Sequence, residues 1–541
     1  MSATRRSLPE VAPAIAFSVE PYTEDTLAAA LSNDWVNKAA VAAGQRFNFL
    51  REYLGPAGDG LHAQTMVQER PYVSQSYLED YAHYYAHCFA PYERDCVRVH
   101  FFSHPFDQEQ LLAALAADDT HDIWRNYLGY IVVKPIPSPV GATLLRPYPN
   151  GAQNERHYPV QRPYQVNLLG KKLTVPTLIW QQQDTNVSAC ATTALWMAFH
   201  KTAFLFQTPL PSPYRITESA GNLFNHSGRT FPNQGLDAFQ IMTAVQSVGL
   251  VSELRTKFPH PTRLVPEERA FKEKELKALI YAYLRFGLPV LLFIDFEQQQ
   301  GAHLIAATGY RRPEPGYVYA ATSIGTGHNA GRYPALYSDG IVKLYAHDDG
   351  VGPYARLTFD PATSLVFTAW PKGSAWHQAH LYTVVVPLTE MVRITYEQVY
   401  RQAALLDLLL EFLQPWYAPA TAPVVWDIYL QESNAHKEET LAGQDGTTKQ
   451  RERIATRLLP KYVWVARALY QGRALMELVF DATDLHTGFY CLLTTTYAPL
   501  RQPLTQLLPT DTFQGVVKKL VDSRYVGLLL EDLALLPPTA P

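Results

Sequence analysis

The 541-residue chain is longer than one compact core usually allows, and this length favours three or four domains of roughly 100–200 residues each. Its 46 basic and 50 acidic residues give a formal net charge of -4, which argues against general nucleic-acid binding because such proteins carry a basic surface. The longest apolar runs, residues 288–294 and 381–388, are far shorter than the ~20 residues of a membrane-spanning helix. No apolar signal-peptide core follows the N-terminus.

We therefore expect a soluble, cytoplasmic protein that binds neither nucleic acid nor membranes. The cysteines agree with this expectation, because four of them in a chain of this length do not form a dense disulfide framework. Reduced thiols of this kind remain available for chemistry. The four positions are Cys88, Cys96, Cys190 and Cys491.

The first region, residues 1–165, is predicted to be a mixed α/β N-terminal domain. Residues 1–20 look like a loose polar arm, and helical patterning follows from residue 26 to a stop at Gly55. A second helical segment covers residues 75–92. Strand-like runs then follow, at residues 96–102 and 128–136.

The central region, residues 166–394, begins with a β-rich run and a polar turn, and a helical segment then starts at residue 189. Two further helices are predicted, one beginning near Asp237 and ending at Gly249, and one ending at Gly287. Strand-like runs dominate the rest of the region. These runs are residues 288–296, 303–310, 340–350, 355–359, 364–370 and 380–388.

The last region, residues 395–541, is predicted to be a mixed α/β C-terminal domain that opens with a helix. A polar stretch, residues 431–453, is interpreted as a solvated loop or helix end. Two strand-like runs and a leucine-rich tail complete the region. We expect the two flanking domains to bind substrate or a protein partner, or to cover a cleft.

Cys190 is the strongest candidate for chemistry, because it lies where the polar turn gives way to the helical segment. The unpaired N–H groups and the dipole at a helix N-terminus favour a thiolate. The hydroxyl of Ser188 is placed to cap this helix. Taken alone, however, a cysteine among Ala, Leu, Trp and Met is more often part of a core.

A nucleophilic cysteine also needs a base and an oxyanion donor, and the sequence offers residues for both roles. Gln183 precedes the helix, so its amide can join the Cys190 N–H in holding an oxyanion. His303 opens a strand, and Asp348 or Asp349 at the end of a later strand can orient its imidazole. Asp and Gly also favour turns, so the Asp pair can equally be explained as part of a turn with no catalytic role.

In this order of segments the chain resembles papain-like cysteine peptidases, most closely the branch of bacterial double-glycine leader peptidases. The resemblance covers about residues 170–390, roughly two-fifths of the chain, and depends on several segments in the family's order. The matching stretches are VPTLIWQQQD before CATTALWMAF, NQGLDAFQIMTAVQSVGL, LPVLLFIDF, GAHLIAATGY and LYAHDDGVGPY.

The resemblance implies an α+β fold in which the central domain is papain-like, with the cysteine helix packed on an antiparallel sheet that carries His and Asp. It implies Cys190 as nucleophile, His303 as base, Gln183 as oxyanion donor and Asp348 as the residue that orients the histidine. The expected activity is cleavage of a peptide or isopeptide bond in a peptide or protein substrate, through a thioester and with no cofactor or metal.

Four alternatives stay open at this point. The interval from Gln183 to the cysteine is one residue longer than the family's commonest spacing, so Gln182 can replace Gln183. Asp349 can likewise replace Asp348. The same nucleophile would also serve an acyltransferase. Ala191 stands where the family usually has Gly, which motivates the fourth alternative, an inactive peptidase fold used as a scaffold.

Three other motifs favour structural interpretations. His83 and His87, beside Cys88, have the spacing of metal ligands on one helical face, but no third ligand is close in sequence, so we expect a packed helix. The glycine-rich residues 325–331 lack a nucleotide-binding fingerprint and are interpreted as a mobile loop near the active site. Residues 449–457 carry charges of both signs and are interpreted as a solvated helix face.

Overall fold

The structure is a computed structural model that describes most of the chain. The described residues are 16–117, 121–151, 155–184, 186–187, 189–221, 235–257, 271–296, 302–312, 316–324, 331–360, 363, 365–418, 422–443, 445–486 and 488–534. The fold is mixed α+β with several antiparallel sheets. Within the described residues, no helix has the length and apolar character needed to cross a membrane.

The N-terminal part contains a five-stranded antiparallel sheet whose strands follow one another in chain order. The strands are β1 (Ala16–Pro21), β2 (Thr65–Tyr72), β3 (Cys96–Phe102), β4 (Tyr127–Val133) and β5 (Val140–Leu145). The helices are α1 (Glu24–Ala30), α2 (Lys38–Ala42), α3 (Gln45–Leu54), α4 (Gln75–His83), α5 (Gln108–Ala116) and α6 (Asp122–Arg125), and a 3-10 turn covers Tyr85–His87.

Three expectations for this part were wrong. The helical segment expected over residues 75–92 ends at His83, and only a 3-10 turn over Tyr85–His87 follows it. Residues 16–20 are not a loose arm but belong to β1, which pairs with β2; residues 1–15 lie outside the described residues. The helical pattern from residue 26 to Gly55 is broken into α1, α2 and α3, although its predicted stop at Gly55 is confirmed. The break has a local cause, because the Asn33 side-chain oxygen accepts the N–H groups of Trp35 and Val36 and so turns the chain.

The central part combines helices with the sheet that carries the candidate site. Its first strands are β6 (Arg156–His157), β7 (Arg162–Leu168) and β8 (Lys171–Thr177), and its helices are α7 (Cys190–Phe206), α8 (Pro213–Ala220), α9 (Ala238–Ser247) and α10 (Glu273–Leu284). The later strands are β9 (Val251–Thr256), β10 (Val290–Phe296), β11 (Ala302–Arg311), β12 (Thr322–Ile324), β13 (Gly331–Tyr333), β14 (Ala335–Leu336), β15 (Lys343–Asp348), β16 (Gly352–Phe359), β17 (Leu365–Phe367) and β18 (Gln378–Leu388).

Six of these strands form a closed path of antiparallel pairs in the order β10, β11, β15, β16, β17 and β18, because β18 also pairs with β10. The strand β10 is buried on both faces along most of its length. Along β10, Leu291 and Phe293 belong to the same apolar cluster as α7, whereas Leu292 and Ile294 belong to the cluster that contains α10. The sheet therefore supports α7 from one side and is covered by α10 on the other.

The C-terminal part combines helices with a five-stranded sheet in the order β14, β19, β20, β21, β22. Its elements are α11 (Tyr396–Tyr417), β19 (Val425–Glu432), α12 (Ser433–Ala442), α13 (Thr448–Thr456), β20 (Tyr462–Tyr470), β21 (Arg473–Asp481), β22 (Cys491–Thr496), α14 (Arg501–Leu507), α15 (Asp511–Leu520) and α16 (Arg524–Asp532). The central strand β14 joins this sheet by pairing with β19.

The polar stretch 431–453 is not mainly a loop, because α12 and much of α13 occupy it. Gln450 forms a capping box with Thr447, which is a local pattern, and it also donates to the distant Thr496 carbonyl oxygen at 2.8 Å, which no local pattern reveals. The helix expected within residues 449–457 is confirmed, but Arg453 pairs with the buried Asp532 at 2.8 Å, so that face is only partly solvated.

The boundaries expected at residues 165 and 394 stay predictions. Both are crossed by shared packing. The strand β6 pairs with β11 of the central sheet, and β7, which runs through residue 165, pairs with β8. One apolar cluster joins the N-terminal sheet to α7, and another joins the central sheet to the C-terminal part.

Candidate functional site

Cys190 is the first residue of α7, one residue after the predicted start at residue 189. The residue before the helix, Ala189, is extended and makes no side-chain cap, so its side chain leaves the first-turn N–H groups unoccupied. Ser188, expected to cap the helix, lies outside the described residues. Cys190 is half-buried, and its sulfur lies at the positive end of the α7 dipole.

The other cysteines have different surroundings. Cys96 and Cys491 are buried; burial raises the pKa of Cys96 to about 12 and also raises the pKa of Cys491. Both are therefore protonated and inert near neutral pH. Cys88 is half-buried like Cys190, and its thiol lies 3.6 Å from the Tyr84 carbonyl oxygen. It offers an internal comparison for the reactivity of Cys190.

The segment that leads into α7 is fixed from two sides. The hydroxyl of Tyr85, in the N-terminal part, donates to the buried carboxylate of Asp184. Val187 donates its N–H to the Asp184 carbonyl oxygen at 3.0 Å, and its own carbonyl oxygen accepts from the Thr217 hydroxyl at 3.1 Å. These contacts determine where α7 begins, and therefore where Cys190 lies.

The two candidate glutamines differ in their surroundings. Gln182 is buried and forms a reciprocal pair with Val140: its N–H donates to the Val140 carbonyl oxygen at 3.1 Å, and its side-chain oxygen accepts the Val140 N–H at 3.2 Å. Gln183 is half-buried. Because Gln182 has this backbone-like role beside β5, Gln183 is the better candidate for an amide donor.

His303 lies on β11 opposite Ile294 of β10, and its side chain is 16% exposed. Two carboxylates meet its Nε2 atom. Asp348 Oδ1 is 2.9 Å away and Asp349 Oδ1 is 3.3 Å away. With Nε2 engaged in this way, Nδ1 is the ring nitrogen left for the thiol, and a hydrogen bond to Cys190 is among the causes that raise the pKa of His303.

The choice between Asp348 and Asp349 is therefore not exclusive, since both lie against the imidazole. Asp348 ends β15, and its Oδ1 also accepts the Gly350 N–H at 2.8 Å, which closes a tight turn. Its carbonyl oxygen accepts the indole N–H of the buried Trp180 at 2.9 Å. Asp349 is 1% exposed, and neither of its carboxylate oxygens accepts a well-aligned hydrogen bond from the described residues.

The electrostatics favour a charged imidazole. Burial lowers the pKa of His303, but the charges of Asp348 and Asp349 and the hydrogen bonds to Asp348 and Cys190 outweigh it and raise the pKa well above its usual range. Burial also raises the pKa of Asp349, to about 6, against the opposing charge of His303. At neutral pH the arrangement holds an imidazolium between a cysteine and two carboxylates.

Aromatic rings border the imidazole on the side away from α7. The Phe296 ring stacks on His303 with 6.1 Å between ring centroids, and Trp376 packs edge-on against Phe296 at 4.7 Å. A side-chain atom of Trp370 would lie 3.1 Å from a Cβ placed on Gly350. These rings keep water from the imidazole and the turn, which strengthens the charge interactions between them.

The sequence reasoning missed two residues at the site. Tyr382 lies at a bulge of β18, where the pairing with β10 shifts by one residue. Burial and the charges of Asp295 and Cys190 raise its pKa to about 12. Arg46 of α3 donates its Nε–H to the Asp349 carbonyl oxygen at 3.0 Å. Neither had a sequence signal, because a bulge and a contact between residues 303 positions apart leave no local pattern.

The site residues also form the one group in the described part of the chain that combines three potential metal-ligand side chains, with ligand atoms within 4.8 Å of one another: His303, Asp348 and Asp349. They are the same three side chains whose imidazole and carboxylates contact one another as an ion-pair group. The pair His83 and His87 lies on two different elements, since α4 ends at His83 and His87 belongs to the 3-10 turn. Residues 325–330 of the glycine-rich motif lie outside the described residues.

Comparison of the chain with protein-family models, with curated proteins and with solved structures found no match. The functional interpretation therefore depends on the residues and their geometry.

Proposed function

We propose that the protein is a cysteine-dependent hydrolase, a peptidase that cleaves a peptide or isopeptide bond through a thioester, with a papain-like central domain. The observation that carries the proposal is the contact of His303 Nε2 with Asp348 at 2.9 Å and Asp349 at 3.3 Å. Cys190, the first residue of α7, is among the groups that raise the pKa of the same imidazole. A helix N-terminus, an imidazolium and an orienting carboxylate are the groups that activate a thiol.

In the first half of the proposed reaction, the Cys190 thiolate attacks the substrate carbonyl carbon. The oxyanion that forms accepts hydrogen bonds from the Cys190 backbone N–H and the Gln183 side-chain amide. The His303 imidazolium then donates its proton to the leaving amine nitrogen, the carbon–nitrogen bond breaks, and a thioester remains on Cys190.

In the second half, the now neutral His303 takes a proton from water as the water oxygen attacks the thioester carbonyl. The carbon–sulfur bond breaks, the product leaves as a carboxylic acid, and the thiolate–imidazolium pair is restored. Asp348 keeps the Nδ1 face of the ring towards the thiol throughout, because it holds Nε2 at 2.9 Å.

The test is covalent labelling by a thiol-directed peptide probe with an electrophilic carbonyl. We expect labelling of Cys190 in the full chain, its loss in Cys190→Ala, and a strong reduction in His303→Ala. Cys88→Ala is the matched control, since it removes the other half-buried thiol and should leave labelling unchanged. Labelling that survives both Cys190→Ala and His303→Ala would refute the proposal.

Acyl transfer shares every step up to the thioester, so the two outcomes are separated by the products. A hydrolase releases the carboxylic acid even when a primary amine is added at high concentration. An acyltransferase releases the amide of that amine. An unreactive Cys190 together with an intact fold would instead favour the scaffold alternative.

A further inference from the structure

The helix α3 of the N-terminal part packs directly on the turn that carries the two carboxylates. Arg46, the second residue of α3, donates its Nε–H to the Asp349 carbonyl oxygen at 3.0 Å. One turn further along, Phe49 lies against Gly352 so closely that a Cβ on that glycine would be 2.2 Å from the ring. The contact thus has a polar anchor and a tightly packed apolar one, on either side of the turn.

We propose that Arg46 is a positioning residue of the Cys190–His303 site, which holds the Asp348–Asp349 turn against His303 and balances the charge of the second carboxylate. The helix α3 is then an integral part of the site. This inference deepens the proposed function and rests on it for the catalytic role of His303, although the contact itself does not depend on that role.

Charge balance supports the proposal. Two buried carboxylates against one imidazolium leave an excess negative charge, which is costly away from water. The groups whose charges act on Asp349 are His303 from β11, Asp348 from the same turn and Arg46 from α3. With Arg46 included, the two cations balance the two carboxylates, and Cys190 acts on the group through His303, adding a third anion when it is a thiolate.

The Asp349 carboxylate shows why the positive charge of Arg46 matters. Neither of its buried oxygens accepts a well-aligned hydrogen bond from the described residues, so its ionised form is stabilised mainly by nearby charge. Burial already raises its pKa to about 6, and the charge of Arg46 opposes that rise. Without Arg46, Asp349 takes up a proton near neutral pH, and His303 loses one of its two counter-ions.

The experiment follows the titration of the His303 imidazole by NMR in the full chain, with carbon-13-labelled histidine and His303→Gln for assignment. It uses the Cys190→Ala background, so that the readout does not require any reaction of the thiol. Arg46→Gln is expected to lower the titration midpoint of His303 by about one pH unit, because the carboxylate turn is no longer held against the imidazole; loss of the cation with the turn still in place would raise the midpoint instead.

Arg51→Gln is the matched control, because Arg51 lies on the same helix but pairs with the exposed Glu24 at 3.0 Å. It should leave the His303 midpoint unchanged. An unchanged or raised midpoint in Arg46→Gln, or an equal shift in Arg51→Gln, would overturn the proposal.

Arg46→Gln can also fail to fold, and a second variant then decides. In Arg46→Gln with Asp349→Asn, both the cation and the second carboxylate are neutral, so the charges balance again. The double variant is expected to recover most of the melting temperature lost by Arg46→Gln alone. No recovery would contradict the charge-balance argument. Whether the thiol is a nucleophile is decided separately by the labelling of Cys190.

Discussion

Replacing Asp348 with asparagine removes one of the two negative charges on His303 and keeps a side-chain oxygen for the hydrogen bonds. A unit charge 2.9 Å from the imidazole is worth about 6 kcal/mol at an effective dielectric constant of about 20. The net effect is smaller, because Asp349 remains 3.3 Å from the ring and ionises more readily once its neighbour is neutral.

We therefore expect the His303 pKa to fall by about 1–3 units in Asp348→Asn, the usual effect of an adjacent opposite charge. Each unit corresponds to about 1.4 kcal/mol. The sign follows from the raised pKa: the imidazolium is present at low pH and is lost as the pH rises through the folded-state value, so the variant loses it at a lower pH than the parent.

The assay is an NMR titration of labelled histidine, with Asp349→Asn as the partner variant and the double variant as the end point. Burial alone lowers the His303 pKa, so the double variant should titrate below the ordinary value of about 6.5. A midpoint that does not move in Asp348→Asn, or a double variant that stays well above 6.5, would refute the electrostatic reasoning.

Three further outcomes are expected. Folding raises the pKa of Asp349 from 3.8 to about 6, so the protonated side chain contributes its full stability below pH 3.8, and this contribution is lost as the pH rises through about 6. In urea unfolding, the free energy of unfolding of Asp349→Asn should therefore exceed that of the parent by an amount that grows by roughly 3 kcal/mol from acid to neutral pH. Gln183→Ala should slow acylation by the peptide probe about 100-fold or more with little change in stability. Gln182→Ala should instead lower the free energy of unfolding in urea by about 1 kcal/mol and leave acylation nearly intact. Equal effects of the two variants would argue against Gln183 as the oxyanion donor. Gly352→Ala forces the Phe49 ring to move and should destabilise the fold by about 1–3 kcal/mol. An unchanged midpoint of urea unfolding would mean that α3 does not pack as described.

Local patterns were sufficient for the elements that carry the site. A polar turn followed by a long apolar run predicted the start of α7 to within one residue of Cys190, and alternating or continuous apolar runs predicted β10, β11, β15 and β18. The capping residue Asp237 and the glycine after α9 were also predicted, and Gly249 has the positive φ of 81° that favours glycine there.

The predictions failed where tertiary contacts decide the structure. The strand β1 has a sequence that alternates weakly, AFSVEP, and is fixed by its pairing with β2. The polar helices α12 and α13 depend on distant partners such as the Thr496 carbonyl oxygen. The sequence also left Asp348 and Asp349 as alternatives, because it does not reveal that a tight turn brings both carboxylates to one nitrogen.

The N-terminal part illustrates the same limit for function. Its sequence gave no residue-level reason to connect it with Cys190, and its role was expected only in general terms. In the structure, Arg46 and Phe49 contact the carboxylate turn, and Tyr85 holds the segment before α7. Contacts between residues so far apart in sequence carry no periodicity or spacing, and only the folded chain brings them together.

The central claim, that His303 activates Cys190 as a nucleophile, is tested most directly by the rate of alkylation of each cysteine with iodoacetamide. Peptide mass spectrometry at about pH 6, where an ordinary thiol is almost wholly protonated, reports all four cysteines in one sample. We expect Cys190 to react at least tenfold faster than the equally half-buried Cys88, and this advantage to be lost in His303→Ala. Equal rates for the two cysteines, or an advantage that survives the loss of His303, would contradict the account.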